Sequence, residues 1–119
     1  MISLKERVRD ALAGVCGEVV FGHPRSFTGR ELIAWRESEN RCFARADAGE
    51  HLAELNYMLE IFAHGAEAAA QLLEAADARM CAAGFRREAA AEQFEQDLGV
   101  SHISVRYRAL ADAEGNLYQ

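Results

Sequence analysis

The sequence predicts an α+β protein with an antiparallel or mixed sheet of about four to five strands and two main helices packed on one face. Three observations support this class. Residues 99–112 alternate between apolar and polar side chains, and residues 65–84 are alanine-rich with apolar side chains at helical spacing. The connections between such segments are mostly short. At 119 residues the chain has the usual length of one domain, so residues 1–119 are expected to form a single α+β domain.

The first predicted element is a helix that begins at a capping box formed by Ser3 and Glu6. In that motif the Ser3 hydroxyl accepts a hydrogen bond from the Glu6 backbone N–H, and the Glu6 carboxylate accepts one from the Ser3 N–H. Apolar residues then recur at helical steps, as at Val8 and Leu12. Gly14 and Gly17 are expected to loosen and end the helix.

Two short extended regions follow the first helix. Val19 to Phe21 is an apolar run that predicts a short strand, and Gly22 to Gly29, which contains the single proline, predicts an exposed loop. Leu32–Glu37 and Cys42–Asp47 then form two extended segments separated by the polar stretch SENR. The simplest interpretation is a β-hairpin with its turn at Ser38–Arg41.

The middle of the chain predicts a long strand and a helix. The stretch HLAELNYMLEIFAH, residues 51–64, alternates in polarity, which favours a strand over the helix that its leucine spacing also permits. The alanine-rich stretch that follows predicts a helix ended by Gly84. Residues 85–99 are ambiguous, because their alanines favour a helix whereas their position directly after a helix stop favours a strand. We favour the strand.

The last predicted strand raises the main functional question of the sequence. In GVSHISVRYRALAD, residues 99–112, one face is apolar and the other carries His102, Ser104, Arg106 and Arg108. Such a row could bind an anion, but one polar row is also the ordinary outcome when only one face of an antiparallel sheet meets the core. The residues that follow predict a turn at Gly115–Asn116 and then a short free tail.

Charge and composition exclude several function classes. The formal net charge is −6, and the acidic side chains concentrate in the second half: residues 1–48 carry eight basic and seven acidic side chains, residues 49–119 five and twelve. This balance argues against a general nucleic-acid binder. No apolar run approaches the ~18 residues of a membrane span, and no signal peptide is recognisable.

The sequence predicts no catalytic, cofactor or metal site. The three cysteines are far apart and the histidines lack the i, i+4 pairing of metal-binding helices. His23 and Ser26 are close in sequence, but nucleophilic catalysis needs an oriented base and an oxyanion hole. No phosphate-binding glycine loop opens a helix after a strand. We therefore expect a protein that is not an enzyme.

A pattern spread over nearly the whole chain resembles a known family. Its parts are the amphipathic start LKERVRDAL, the loop FGHPRSF, the strand AELNYMLEIFA, the helix end MCAAGFRRE, the segment EQDLGVSHISVRYRAL and the terminal GNLYQ. In this pattern the sequence is similar to the tail terminator and tail completion (head-tail joining) proteins of long-tailed bacteriophages. None of these segments is a catalytic signature.

The resemblance implies a structural protein of a phage or prophage virion. Members of the family are α+β subunits that assemble into hexameric rings, cap the tail tube and join it to the head. The implied partners are other copies of the chain, the tail tube and head-connector proteins, with DNA passing through the lumen without specific binding and with no membrane contact. The implied location is the virion, assembled in the host bacterial cytoplasm.

The ring would use sheet edges and two projecting segments, His23–Arg30 and Glu37–Arg41. The chain has twelve arginines and one lysine, and arginine forms bidentate contacts with carboxylates and is enriched at protein interfaces. The candidate interface residues are therefore Arg25, Arg30, Arg36, Arg41, Arg45, Arg106 and Arg108.

Two other functions fit the sequence. A head-side connector or stopper would share the size and assembly of a terminator. A small cytoplasmic ligand-binding regulatory domain would instead use a pocket between sheet and helix, and a metabolite would raise its melting temperature.

Overall fold

A computed structural model describes residues 1–24, 26–46, 49–95 and 99–118. In this part of the chain, two helices and six strands follow the order α1 (Lys5–Leu12), β1 (Val19–Phe21), β2 (Glu31–Ala46), β3 (Gly49–His64), α2 (Ala66–Ala82), β4 (Arg86–Glu95), β5 (Val100–Asp112) and β6 (Leu117–Tyr118). The strand order is β1-β2-β3-β5-β4, and β6 pairs with the end of β5. All pairs are antiparallel except β1 with β2. The sheet is therefore mixed, mostly antiparallel, and larger than the four to five strands predicted.

Alternation places the apolar side chains of the central strands on one face of the sheet. Tyr57, Leu59 and Ile61 of β3 are fully buried there, opposite Tyr107, Val105 and Ile103 of β5. These side chains form one cluster with buried residues of both helices. The face that carries them is called the core face below, and the opposite face the polar face.

Two buried tyrosines connect the helices to the sheet. The Tyr57 hydroxyl accepts a hydrogen bond from the Leu4 backbone N–H at 3.1 Å and donates one to Glu37 at 2.9 Å. The Tyr107 hydroxyl donates to Asp77 of α2 at 2.7 Å. Burial raises the pKa of both tyrosines, so both hydroxyls stay protonated and able to donate.

The predicted hairpin at Ser38–Arg41 is wrong, because residues 31–46 form the single strand β2. The polar side chains of this stretch find partners in the strand: the Asn40 amide donates to the Ile2 carbonyl at 2.8 Å, and Arg41 pairs with Glu54. A register shift between Glu37 and Glu39 absorbs one residue. Pairing with β3 outweighs the local turn preference, and Glu37–Arg41 does not project as a loop.

Two predictions about the ends of the chain are also wrong. Leu4 precedes α1 without a side-chain cap, and Ser3 accepts a hydrogen bond from the Lys5 N–H at 3.3 Å rather than from Glu6. The end of the chain is not a free tail, because β6 folds back on β5 after the predicted turn. The Asp112 carboxylate holds that turn by accepting hydrogen bonds from the Glu114 and Asn116 N–H groups and the Tyr118 hydroxyl.

Most of the remaining predicted elements are confirmed. The long strand of residues 51–64 is β3, the alanine-rich helix is α2, and the ambiguous segment after Gly84 is the strand β4. The short strand β1 occupies the predicted Val19–Phe21, and β5 occupies most of the alternating stretch 99–112.

Candidate interface on the polar face of the sheet

The polar face brings together four of the seven predicted interface arginines. Arg36 of β2 and Arg106 of β5 lie on either side of Met58 in register, while Arg41 and Arg108 lie further along the same face. Arg30 is exposed in the loop before β2, and Arg45 lies within β2. Arg25 lies outside the described residues.

Glu60 is the centre of one polar cluster on this face. Its carboxylate accepts hydrogen bonds from Arg36 Nη1 at 3.1 Å, His102 Nε2 at 2.6 Å and the Ser104 hydroxyl at 2.5 Å. Glu60 itself is only 8% exposed. Burial alone raises the pKa of Glu60, but the three hydrogen bonds outweigh it and hold the pKa below its ordinary value. The carboxylate is therefore ionised and joins β2, β3 and β5.

Glu54 forms a second cluster six residues along β3. Arg41 Nη2 lies 2.5 Å from one carboxylate oxygen and Arg108 Nε lies 3.1 Å from the other. These hydrogen bonds lower the pKa of Glu54. Three of the four arginines on the polar face therefore have intramolecular carboxylate partners.

Arg106 differs from its neighbours. It is exposed, and among the described residues no carboxylate lies within ion-pair distance of its guanidinium. Its neighbours in register are Met58 of β3 and Ala89 of β4, neither of which carries a charge. Arg106 is thus a cation in the middle of the face with its donors available to a carboxylate on another molecule.

At one end of the polar face, Phe27 and Gly29 of the chain before β2 contact the sheet. Phe27 stacks on His64 with ring centroids 5.0 Å apart, and His64 Nε2 lies 3.0 Å from the Gly29 carbonyl oxygen, to which it donates. Phe62 stacks on His102 at 4.3 Å. The segment His23–Arg30 is predicted to project, but Phe27 anchors its described part to the sheet, while His23, Ser26 and Arg30 remain exposed.

The hydrogen bonds around Glu60 do not activate Ser104 as a nucleophile. The Ser104 hydroxyl donates to the same carboxylate oxygen that lies against His102, so carboxylate rather than imidazole receives its hydrogen bond. A nucleophilic serine needs its hydrogen bond directed at the base. Within the described ranges, no group of three His, Cys, Asp or Glu side chains could hold a metal ion.

Sequence reasoning missed the two glutamates that organise this face. The signal was present as the polar positions Glu54, Asn56 and Glu60 of β3, which share one face of an alternating strand. The register of the strands brings their arginine partners near, and the sequence does not display that register.

Neither of the two helices in the described residues has the length and apolar content that a membrane span requires.

Comparison with known proteins shows that this chain is similar in fold to a chain of a solved structure. No protein-family model matches the sequence, and no curated protein matches it at a significant level. Among solved structures, a chain in the virion of a native gene transfer agent (GTA) particle is similar, with a TM-score of 0.51, 12% sequence identity and 89% of each chain covered. At this identity the likeness shows that the two chains share a fold over most of their length.

Proposed function

We propose that this chain is a structural protein of a phage or prophage virion, with an assembly role and no catalytic one. The observation that carries the proposal is the fold shared with a chain of the gene transfer agent virion over 89% of both molecules. The resemblance of the sequence to tail terminator proteins points to the same class of particle.

Within that class we propose the role of a tail terminator or tail completion protein. The subunits form a ring, of six as the resemblance implies, that caps the tail tube and joins it to the head. The ring is part of the virion and is assembled in the host cytoplasm. DNA passes through its lumen, and the net charge of −6 on each subunit disfavours retention of the phosphate backbone.

The polar face supplies a contact surface for such an assembly. Arg106 is exposed between uncharged neighbours, whereas Arg36, Arg41 and Arg108 are held in place by Glu54 and Glu60. Arginines fixed by internal ion pairs lose little conformational freedom when they meet a partner. This surface fits an acidic patch on a neighbouring subunit or on the tail tube.

Deletion of the gene from the phage or prophage that carries it tests the role. Without a terminator, heads fill with DNA, tails remain unattached, and some tails exceed their normal length in electron micrographs. A head-side connector or stopper predicts instead heads that lose DNA beside tails of normal length. Normal infectious particles would contradict the structural role altogether, and a metabolite-dependent rise in melting temperature would then favour the regulatory domain.

A further inference from the structure

The edge strand β4 is exposed on both of its faces. Every side chain from Arg86 to Phe94 is exposed, and in the described part of the chain β4 pairs only with β5. The bulge between Arg87 and Ala89 and the charges of Arg86, Arg87 and Glu88 protect the first part of β4, whereas the three alanines at positions 89–91 carry no charge and include no proline. The regular stretch that starts at Ala89 therefore offers outward backbone groups to another strand.

The opposite edge of the sheet is also open over much of its length. The short strand β1 pairs with Ile33–Trp35 of β2, and within the described residues no strand lies outside positions 36–46. Register shifts interrupt β2 on both sides of Glu39–Cys42, and between them the pairing with β3 is regular. Glu39–Cys42 is thus the regular part of this free edge.

The directions of the strands make the two edges complementary. The path β2-β3-β5-β4 is antiparallel at each step, so β2 and β4 run in opposite directions. A second copy placed beside the first in the same orientation presents its β2 antiparallel to β4. Such a head-to-tail contact joins two different surfaces, and it closes into a ring when the rotation between copies closes.

We propose that β4 of one subunit pairs antiparallel with Glu39–Cys42 of β2 in a second copy of this chain. This inference rests on the ring assembly proposed above and identifies the strands that join its subunits. Main-chain hydrogen bonds between the two edges supply affinity. The small side chains of Ala89, Ala90 and Ala91 allow the incoming strand to approach without displacing a bulky residue.

Disulfide cross-linking through Cys42 tests the pairing, because the faces of both strands are known. Cys42 is exposed and lies opposite Ala53, on the core-face side of β2. Ala90 and Glu92 of β4 lie on that same side, opposite Val105 and Ile103. Ala89 and Ala91 lie on the polar side and serve as matched controls. The four variants A89C, A90C, A91C and E92C are made in a C16S/C81S background.

Oxidation of the assembled protein is expected to join Cys42 of one copy to A90C or E92C of the next, giving a ladder of covalent multimers on a denaturing gel. The same treatment of A89C and A91C gives no ladder. A disulfide within one chain is ruled out because β2 and β4 are three strand spacings apart, roughly 14 Å, well beyond disulfide reach.

Other outcomes overturn the inference in distinguishable ways. A ring seen by native mass spectrometry without cross-links, or with equal cross-linking on both sides of β4, would reject the edge pairing and leave the proposed function standing. Cross-linking of A90C to itself in a C42S background would show a β4–β4 dimer instead. A protein that stays monomeric at all concentrations and with tail tubes present would reject both proposals.

Discussion

At the scale of single residues, Glu60 holds together one of the two polar clusters of the polar face. It is 8% exposed and accepts hydrogen bonds from Arg36, His102 and Ser104. Replacement of Glu60 by Gln removes the charge and leaves at least one donor without its acceptor, so we expect a loss of about 1–3 kcal/mol in the free energy of unfolding. Urea denaturation measures it. Glu92→Gln, at an exposed position of β4, is the matched control and should change stability by less than about 0.5 kcal/mol.

The same residue predicts a dependence of stability on pH. The pKa of Glu60 is lower in the folded protein than its ordinary value of 4.5, so its contribution is fully present above about pH 4.5 and is lost as the pH falls through the folded-state pKa. Between neutral pH and the acid range, the wild type should therefore lose more stability than Glu60→Gln. Parallel losses in the two proteins would show that Glu60 is not the titrating group.

Asp112 offers a second measurement at this scale. The hydrogen bond from the Tyr118 hydroxyl, together with those from Asn116 and the Glu114 N–H, lowers the pKa of Asp112 to about 2. We expect Tyr118→Phe to raise that pKa toward its ordinary value of 3.8, as followed by NMR titration of the carboxyl carbon. Glu114→Gln keeps every hydrogen bond to Asp112 and should leave its pKa near 2. An unchanged pKa in Tyr118→Phe would contradict the assigned contact.

At the scale of elements, Gly84 determines how α2 joins β4. Its φ of 101° lies in the region that favours glycine, and an added Cβ would lie less than 3 Å from Leu117 of β6. Gly84→Ala should therefore cost about 1–2 kcal/mol in backbone strain, with a smaller additional loss because the end of the Leu117 side chain must move aside. Gly14→Ala shares the positive φ but meets open space, so it should lose the smaller amount. Equal losses in thermal or urea unfolding would show that the contact with Leu117 adds no cost to the backbone strain.

The strands differ in how far the sequence predicts them. β3 and β5 were predictable because one face of each meets the core, and alternation records that burial directly. The sequence divides β2 into two segments because Ser38–Arg41 is polar throughout. Nothing local reveals that Asn40 and Arg41 find partners at Ile2 and Glu54. The strand β6 is two residues long, too short to leave a periodic signal.

For the polar face, the sequence predicts which side of the sheet carries the arginines but not which of them are paired. The alternation of residues 99–112 predicts arginine on the polar side of a strand, and Arg106 and Arg108 do lie on that face. That Arg108 is paired with Glu54 whereas Arg106 is unpaired among the described residues follows from the alignment of β3 with β5. Register is a property of the folded sheet, so the sequence alone does not show which of the two arginines has a carboxylate partner.

At the scale of the whole molecule, shape and exposure favour assembly. The extents are 54 × 23 × 20 Å and the radius of gyration is 15.3 Å, above the roughly 13.5 Å expected for a compact chain of this length. Such an elongated single sheet with a polar face and two open edges leaves much backbone and charge available to neighbours. Large aromatic side chains are exposed toward its margins, including Phe94 at 57% and Phe43 at 55%.

Reversing the charge of two arginines on the polar face separates assembly of the molecule from its folding. Arg106→Glu replaces an exposed cation that has uncharged neighbours in register, so the free energy of unfolding should change by less than about 0.5 kcal/mol. Arg108→Glu places a carboxylate beside Glu54, where the wild type has an ion pair of 3.1 Å, and should destabilise the monomer.

If the polar face contacts a neighbouring subunit or the tail tube, Arg106→Glu should weaken ring formation or tail joining while its urea midpoint stays at the wild-type value. Native mass spectrometry over a concentration series measures ring formation, and urea denaturation measures the midpoint. If Arg106→Glu assembles at the same concentration as the wild type and still joins tails, the polar face is exposed to solvent in the assembly and contacts no partner. The ionic clusters around Glu54 and Glu60 would then serve the stability of the sheet alone.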